Sequence, residues 1–372
     1  MLTTSPAGEV SKRLLSLDVM RGIIMILLAA ESCAVYESLN EATANSIVNP
    51  LLQQFFHHPW HGLRFWDLVQ PAFMTMAGTA LYISYFNKLQ KGISWQQNFK
   101  HIIIRCIKLF ICGTALHCVY RGKLVWELWN VLTQLSFTTL IAYCIIQRPV
   151  IFQITVSVLL LLLTEILYRF VLMPGFDQPF VDQHNFGNWM DMVLMGKINK
   201  GGWVAINIIP TSVHTIWGAL AGKLLVSQLP SAKKMQWMIV AGIVALLLGF
   251  GLDLVNLTPI IKRISTTSFV LASAGWVLLL MAFLYWLIDI RQVNKYSWVF
   301  VVVGMNAIFI YLFFETVGSQ WLNNAIGIFV KGFAEWLSVP VLAQNVLAAF
   351  TVLLSEWGLC YWLWRKKIFF KL

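Results

Sequence analysis

With 59% hydrophobic and only 12% charged positions among 372 residues, the chain carries about half the charge density of a soluble domain. That composition excludes a water-soluble globule and predicts an all-α, polytopic membrane helix bundle, one integral-membrane domain over 1–372. The net charge of +11 is accounted for by topology and anionic lipid, with no nucleic acid needed.

Apolar runs of the roughly 20 residues that cross a bilayer as helix predict about ten transmembrane helices, at 15–37, 65–86, 101–120, 125–146, 151–172, 204–226, 237–257, 268–288, 298–318 and 340–364. With both termini on one side, that side collects Lys12, Arg13, Lys88, Lys91, Lys100, Arg148, Lys233, Lys234, Arg291, Lys295, Arg365, Lys366, Lys367 and Lys371. The other side holds Arg121, Lys123, Lys197, Lys200, Lys262, Arg263 and Lys331. The lysine- and arginine-rich side is cytoplasmic, so both termini are expected in the cytoplasm and the loop before the second span outside.

The first span opens with Ser16–Gly22, SLDVMRG, where Asp18 and Arg21 are three apart and share a helix face. They form either a structural ion pair or a cytoplasmic mouth in which Arg21 meets an anion. Glu31 follows about 15 Å further along the same helix, and a carboxylate at that depth is expected to line a wet interior. Asp18 and Arg21 also argue against a cleavable signal peptide.

Phe55–Gly78, FFHHPWHGLRFWDLVQPAFMTMAG, sets three histidines and an aspartate against the start of the second span. Imidazole is neutral near pH 7 and can take a proton from a substrate arriving through water. His57, His58 and His61 also raise a zinc alternative, weakened by Pro59 and by the lack of an HExxH glutamate. Arg105 and Lys108 on the third span favour an anionic guest or snorkel to headgroups. His101, His117 and His214 show no paired arrangement for haem. Gly218–Gly222, GALAG, has small-residue spacing for close helix packing. The six cysteines form no CxxC pair.

The residues then resemble a known family. SLDVMRG, His57-x-x-Trp60-x-Gly62, and Asp67-Leu68-Val69-x-Pro71 leading to Gly78 resemble the transmembrane acetyltransferases typified by heparan-alpha-glucosaminide N-acetyltransferase and its bacterial relatives. Weaker matches follow at Asn130-Val131-Leu132, Gly218–Gly222, Pro259-x-x-Lys262 with Thr267-Ser268-Phe269-Val270, and Gly304-Met305-Asn306 with Tyr311 and Glu315. The resemblance implies acetyl transfer from cytoplasmic acetyl-CoA to an amino sugar across the membrane, with no metal. His57 matches the family's catalytic histidine, acting as general base or transient acetyl carrier. Asp67 either orients that imidazole or caps the second helix.

Under this reading Arg21, Arg105 and Lys108 hold the phosphates of the coenzyme, and Glu31, Trp60, Asn306 and Glu315 meet the acceptor. A bacterial inner membrane with the histidine loop periplasmic is expected, and a homodimer is implied by the resemblance alone. Departures are Gln70 in place of phenylalanine, Gln134 in place of arginine, and Gly201-Gly202-Trp203-Val204 in place of Asp-Pro-Glu-Gly, which points to a changed acceptor pocket. The alternative is a non-enzymatic transporter of a sugar or other polar solute, for which the two halves lack paired broken helices.

Overall fold

A computed structural model describes residues 14–370; Lys12, Arg13 and Lys371, counted above on the cytoplasmic side, lie outside them. The helices are α1 Leu15–Ser32, α2 Val35–Ala42, α3 Asn49–Leu52, α4 Val69–Gln90, α5 Trp95–Arg121, α6 Val131–Ile145, α7 Val150–Phe170, α8 Phe186–Met195, α9 Ile208–Val226, α10 Ser231–Leu254, α11 Thr267–Leu284, α12 Trp298–Gly304, α13 Ala307–Phe313, α14 Asn323–Trp336 and α15 Val341–Arg365. Among the described residues no strand forms, and the β-pairing consists of isolated bridges at His61–Ile261 and Met173–Phe176.

Among the described residues five helices are long and apolar enough to cross a membrane: α5, α7, α10, α11 continued to Ile290, and α15. Two bent pairs raise this to seven, α1 with α2 at 63° and α12 with Ala307–Trp336 at 73°. Helices also occupy the remaining expected ranges, as α4, α6 and α9, but these sit inside the bundle and carry its polar residues. Thr79 Oγ1 donates to the Gly218 carbonyl at 3.0 Å, and Thr215 Oγ1 to Thr138 Oγ1 at 3.0 Å. Bundle interiors satisfy such groups where lipid cannot. Ten crossings therefore stays an expectation.

The expected GALAG contact is present. A Cβ on Gly218 would lie 2.1 Å from the Thr75 carbonyl oxygen, and one on Gly78 would lie 2.0 Å from that of Thr215. Only glycine lets α4 and α9 approach so closely, and the two helices pack along their lengths.

Three boundaries depart from the sequence reading. The first span ends at Ser32, because Ala34 adopts φ +58° and turns the chain into α2. The span expected from 125 starts at Val131, where Asn130 Oδ1 accepts from Leu132 N at 2.8 Å as an N-cap. Residues 122–130 are instead non-helical, and within them Glu127 and Trp129 are buried. The span expected at 298–318 breaks at Met305–Asn306 and runs on through a π-helical stretch, Phe314–Leu322, into α14.

Candidate active site

His57 lies in the non-helical segment between Phe55 and the 3₁₀ turn Phe65–Leu68 that leads into α4. This segment is pinned to a distant one. His61 bridges Ile261, and Gly62 N donates to the Ile260 carbonyl at 2.8 Å. Gly62 has φ +139°, where a side chain is strained, and a Cβ there would fall 2.6 Å from His58 Nε2. The bridge carries Lys262 to the imidazole.

Asp67 performs both of the roles left open above. Its Oδ2 accepts from Arg64 N at 2.9 Å and His58 N at 3.2 Å, capping the turn. Its Oδ1 lies 3.0 Å from His57 Nδ1 and 3.7 Å from Lys262 Nζ. Asp67 is 0% exposed and Lys262 5%, so the pair is screened little by water.

Lys262 Nζ also comes within 3.0 Å of His57 Nδ1, and one ring nitrogen cannot serve both neighbours in the same way. A carboxylate can only accept, so the hydrogen belongs on Nδ1, donated to Asp67. The lone pair is then left on Nε2. Burial and the Lys262 charge hold His57 below its ordinary pKa against the pull of Asp67, so the ring is neutral near pH 7. Burial lowers Lys262 to about 8, opposed by Asp67 and Glu31. Trp203 completes the corner, its ring 5.4 Å edge-on from His57 and 5.4 Å from the Lys262 ammonium.

His57 and Lys262 line a cavity of about 340 Å³ with Glu31, Trp66, Gln70, His117, Trp129, Asn130, Gln134, Trp203, Tyr311 and Glu315. Its walls come from α1, α4, α5, α6 and the stretch beyond α13. Gln70 Nε2 donates to Gln134 Oε1 at 2.6 Å, so two of the departures noted in the sequence touch one another in the wall. Tyr120 Oη donates to Glu315 Oε2 at 2.7 Å.

The structure thus brings together His57, Asp67, Glu31 and Glu315, and separates the other candidates. Trp60 does not line the cavity. Its Nε1 donates to the Phe180 carbonyl at 2.8 Å, tying the histidine segment to the loop after α7. Asn306 lies at the α12–α13 break, where its amide donates to the Ile368 carbonyl at 3.0 Å and accepts from Phe370 N at 3.0 Å. It holds the C-terminal segment rather than an acceptor.

Arg21 lines a second cavity of about 470 Å³ between the start of α1 and the end of α4, with Asp18, Lys88 and Lys91. Neither Arg105 nor Lys108 lines it, although Arg105, half-buried on α5, lies within electrostatic reach of Arg21. Lys108 is exposed on the outward side of α5 beside Ile104, Ile107 and Ile111, where snorkelling accounts for it. Lys88 and Lys91 take the place expected of these two cations. The two cavities share no lining residue.

The zinc alternative finds no support, because His57 turns to Asp67 while His61 Nε2 meets Asp253 Oδ1 at 2.7 Å. Among the described residues no group of three or more metal-binding side chains converges. Sequence reasoning missed Lys262, Trp203 and the cavity role of His117. Lys262 stood only in a weak motif, and nothing in a sequence reports a bridge between residues so far apart.

No family model matches the chain. The chain is similar to heparan-alpha-glucosaminide N-acetyltransferase of Mus musculus, at 23% identity over 86% of its own length. It spans 56% of that protein, so the likeness marks a distant relationship.

Proposed function

We propose that this protein is a membrane acetyltransferase that moves an acetyl group from cytoplasmic acetyl-CoA to the amine of an amino sugar on the opposite face. The observation that carries the reading is the half-buried His57, backed by buried Asp67 and Lys262 and opening on a cavity. The distant likeness to a membrane N-acetyltransferase supports it.

The lining suits such an acceptor. Glu31 and Glu315 offer carboxylates that bind an ammonium group and take one proton from it to leave the free amine, and Trp66, Trp129 and Trp203 offer faces for a sugar ring. In direct transfer, His57 Nε2 takes a proton from the amine as its nitrogen attacks the thioester carbonyl. The carbon–sulfur bond then breaks with its electron pair on sulfur, and His57 returns the proton to the thiolate. Lys262 supplies positive charge beside the carbonyl oxygen as it gains charge. In the covalent route the same Nε2 attacks the thioester carbonyl first and the carbon–sulfur bond breaks with its electron pair on sulfur; the amine then displaces the neutral imidazole from the acetyl carbon, and its surplus proton passes to the thiolate.

Coenzyme phosphates are assigned to the cavity of Arg21, Lys88 and Lys91, and the thioester reaches His57 along α1 and α4.

The test is purified protein with labelled acetyl-CoA and a panel of amino sugars, for wild type and His57→Ala. Acetylated sugar from wild type alone supports the reading. Equal product from both removes His57 from the chemistry. Passage of unmodified sugar without acetyl-CoA overturns the reading in favour of a transporter.

A further inference from the structure

The cavity holds a second imidazole, built like the first. His117 lies in the last turn of α5, and its Nδ1 is 2.7 Å from Glu127 Oε2. Glu127 is 2% exposed in the non-helical stretch before α6. Its other oxygen accepts from Lys197 Nζ at 2.8 Å and from Arg121 Nε at 3.3 Å. Each imidazole of the cavity is therefore backed by a buried carboxylate, itself neutralised by cations.

The same logic fixes the tautomer. A carboxylate flanked by Lys197 and Arg121 stays ionised and can only accept, so the Nδ1 hydrogen of His117 goes to it. Nε2 is left as a lone pair on a side chain that lines the cavity. Such a nitrogen accepts a hydrogen bond from a hydroxyl or an ammonium. Both cations on Glu127 are largely solvated, Arg121 at 57% and Lys197 at 39% side-chain exposure, whereas His117 is at 14%. Two long side chains thus converge to fix a carboxylate whose one buried partner is this ring.

We propose that His117, positioned by Glu127, is an acceptor-binding residue whose Nε2 takes a hydrogen bond from a hydroxyl or ammonium group of the amino sugar. This rests on the acetyl-transfer reading and deepens it. His57 faces the bond that forms, and His117 fixes the sugar that approaches it. Trp129, 6.2 Å from the His117 ring, lines the same wall and offers a face to the sugar ring.

The experiment measures steady-state kinetics with glucosamine and acetyl-CoA for wild type, His117→Gln and Glu127→Gln, together with the shift in melting temperature that glucosamine causes in each. Loss of one hydrogen bond from a substrate corresponds to about tenfold in affinity. His117→Gln is expected to raise the glucosamine KM about tenfold, leave the acetyl-CoA KM unchanged and lower kcat far less than His57→Ala does. Glu127→Gln is expected to move the same constant in the same direction, and it folds because Arg121 and Lys197 regain water. An unchanged glucosamine KM in both variants overturns the assignment, as does an equal rise in both substrates' KM.

The melting-temperature readout separates the two proposals. Wild type that acetylates nothing defeats the transferase reading. A glucosamine shift present in wild type and in His57→Ala but absent in His117→Gln still supports His117 as a ligand-binding residue. An equal shift in wild type and His117→Gln overturns it.

Discussion

Replacing Lys262 by methionine tests the electrostatics of the site most directly. The substitution keeps an unbranched side chain of similar length and removes a charge 3.0 Å from His57 Nδ1. Even with the full screening of water, two unit charges at that distance interact by ~1.4 kcal/mol, which is about one pKa unit. Burial makes the true effect larger. In wild type, His57 is held below 6.5, so kcat/KM should rise with pH and level off before neutrality, then fall near pH 8 as Lys262 loses its proton. In Lys262→Met the ring regains basicity, because the cation that opposed its protonation is gone while Asp67 remains. The acid limb should move up by about one unit or more, and the limb near pH 8 should vanish. The assay is kcat/KM for acetyl transfer measured from pH 5 upward at constant ionic strength. An acid limb that stays in place, or moves down, would refute the claim that Lys262 acts on His57.

Other expectations follow from the same contacts. His57→Ala should lower kcat by roughly 10²–10⁴ with unfolding behaviour close to wild type, since the ring is partly exposed. Wild type incubated with labelled acetyl-CoA and no acceptor should carry the label on His57 if the covalent route operates; mass spectrometry of the His57 peptide decides between the routes. Asp67→Asn should cost about 3–5 kcal/mol of stability, because it leaves Lys262 buried without its counter-ion, and denaturation in detergent measures this. Gly218→Val should abolish the folded protein, because its Cβ would sit 2.1 Å from a backbone carbonyl of α4; loss of a monodisperse peak in gel filtration checks it.

The parts of the site legible in the sequence are those set by local chemistry. His57 and Asp67 stand ten apart around one tight turn, so a single segment holds both. Glu31 was marked by the cost of a charge inside an apolar helix, and the GALAG glycines by their spacing. What stayed hidden depends on contacts between distant segments. Lys262 and Trp203 reach the imidazole only through loops that pair across the fold. Asn306 and Trp60 show the complementary limit: a polar or aromatic residue near a motif suggests a ligand role, while its partner in the fold, a backbone carbonyl many residues away, cannot be seen in the sequence. Lys108 suggests an anionic mouth because charge is conspicuous in an apolar run, yet the face on which it lies is decided by packing. Glu127 is not legible as a site residue because its apolar surroundings read as the start of a helix, and only the Asn130 cap shows where that helix begins.

The bridge between His61 and Ile261 also has a temporal meaning. His57 and Lys262 are 205 positions apart, so a ribosome adding residues at 5–20 per second spends roughly 10–40 s between them. Throughout that interval Asp67 waits in the nascent chain without its lysine. On the transferase reading the site is completed late in biogenesis, and a product truncated before Lys262 is expected to insert its first helices yet remain inert.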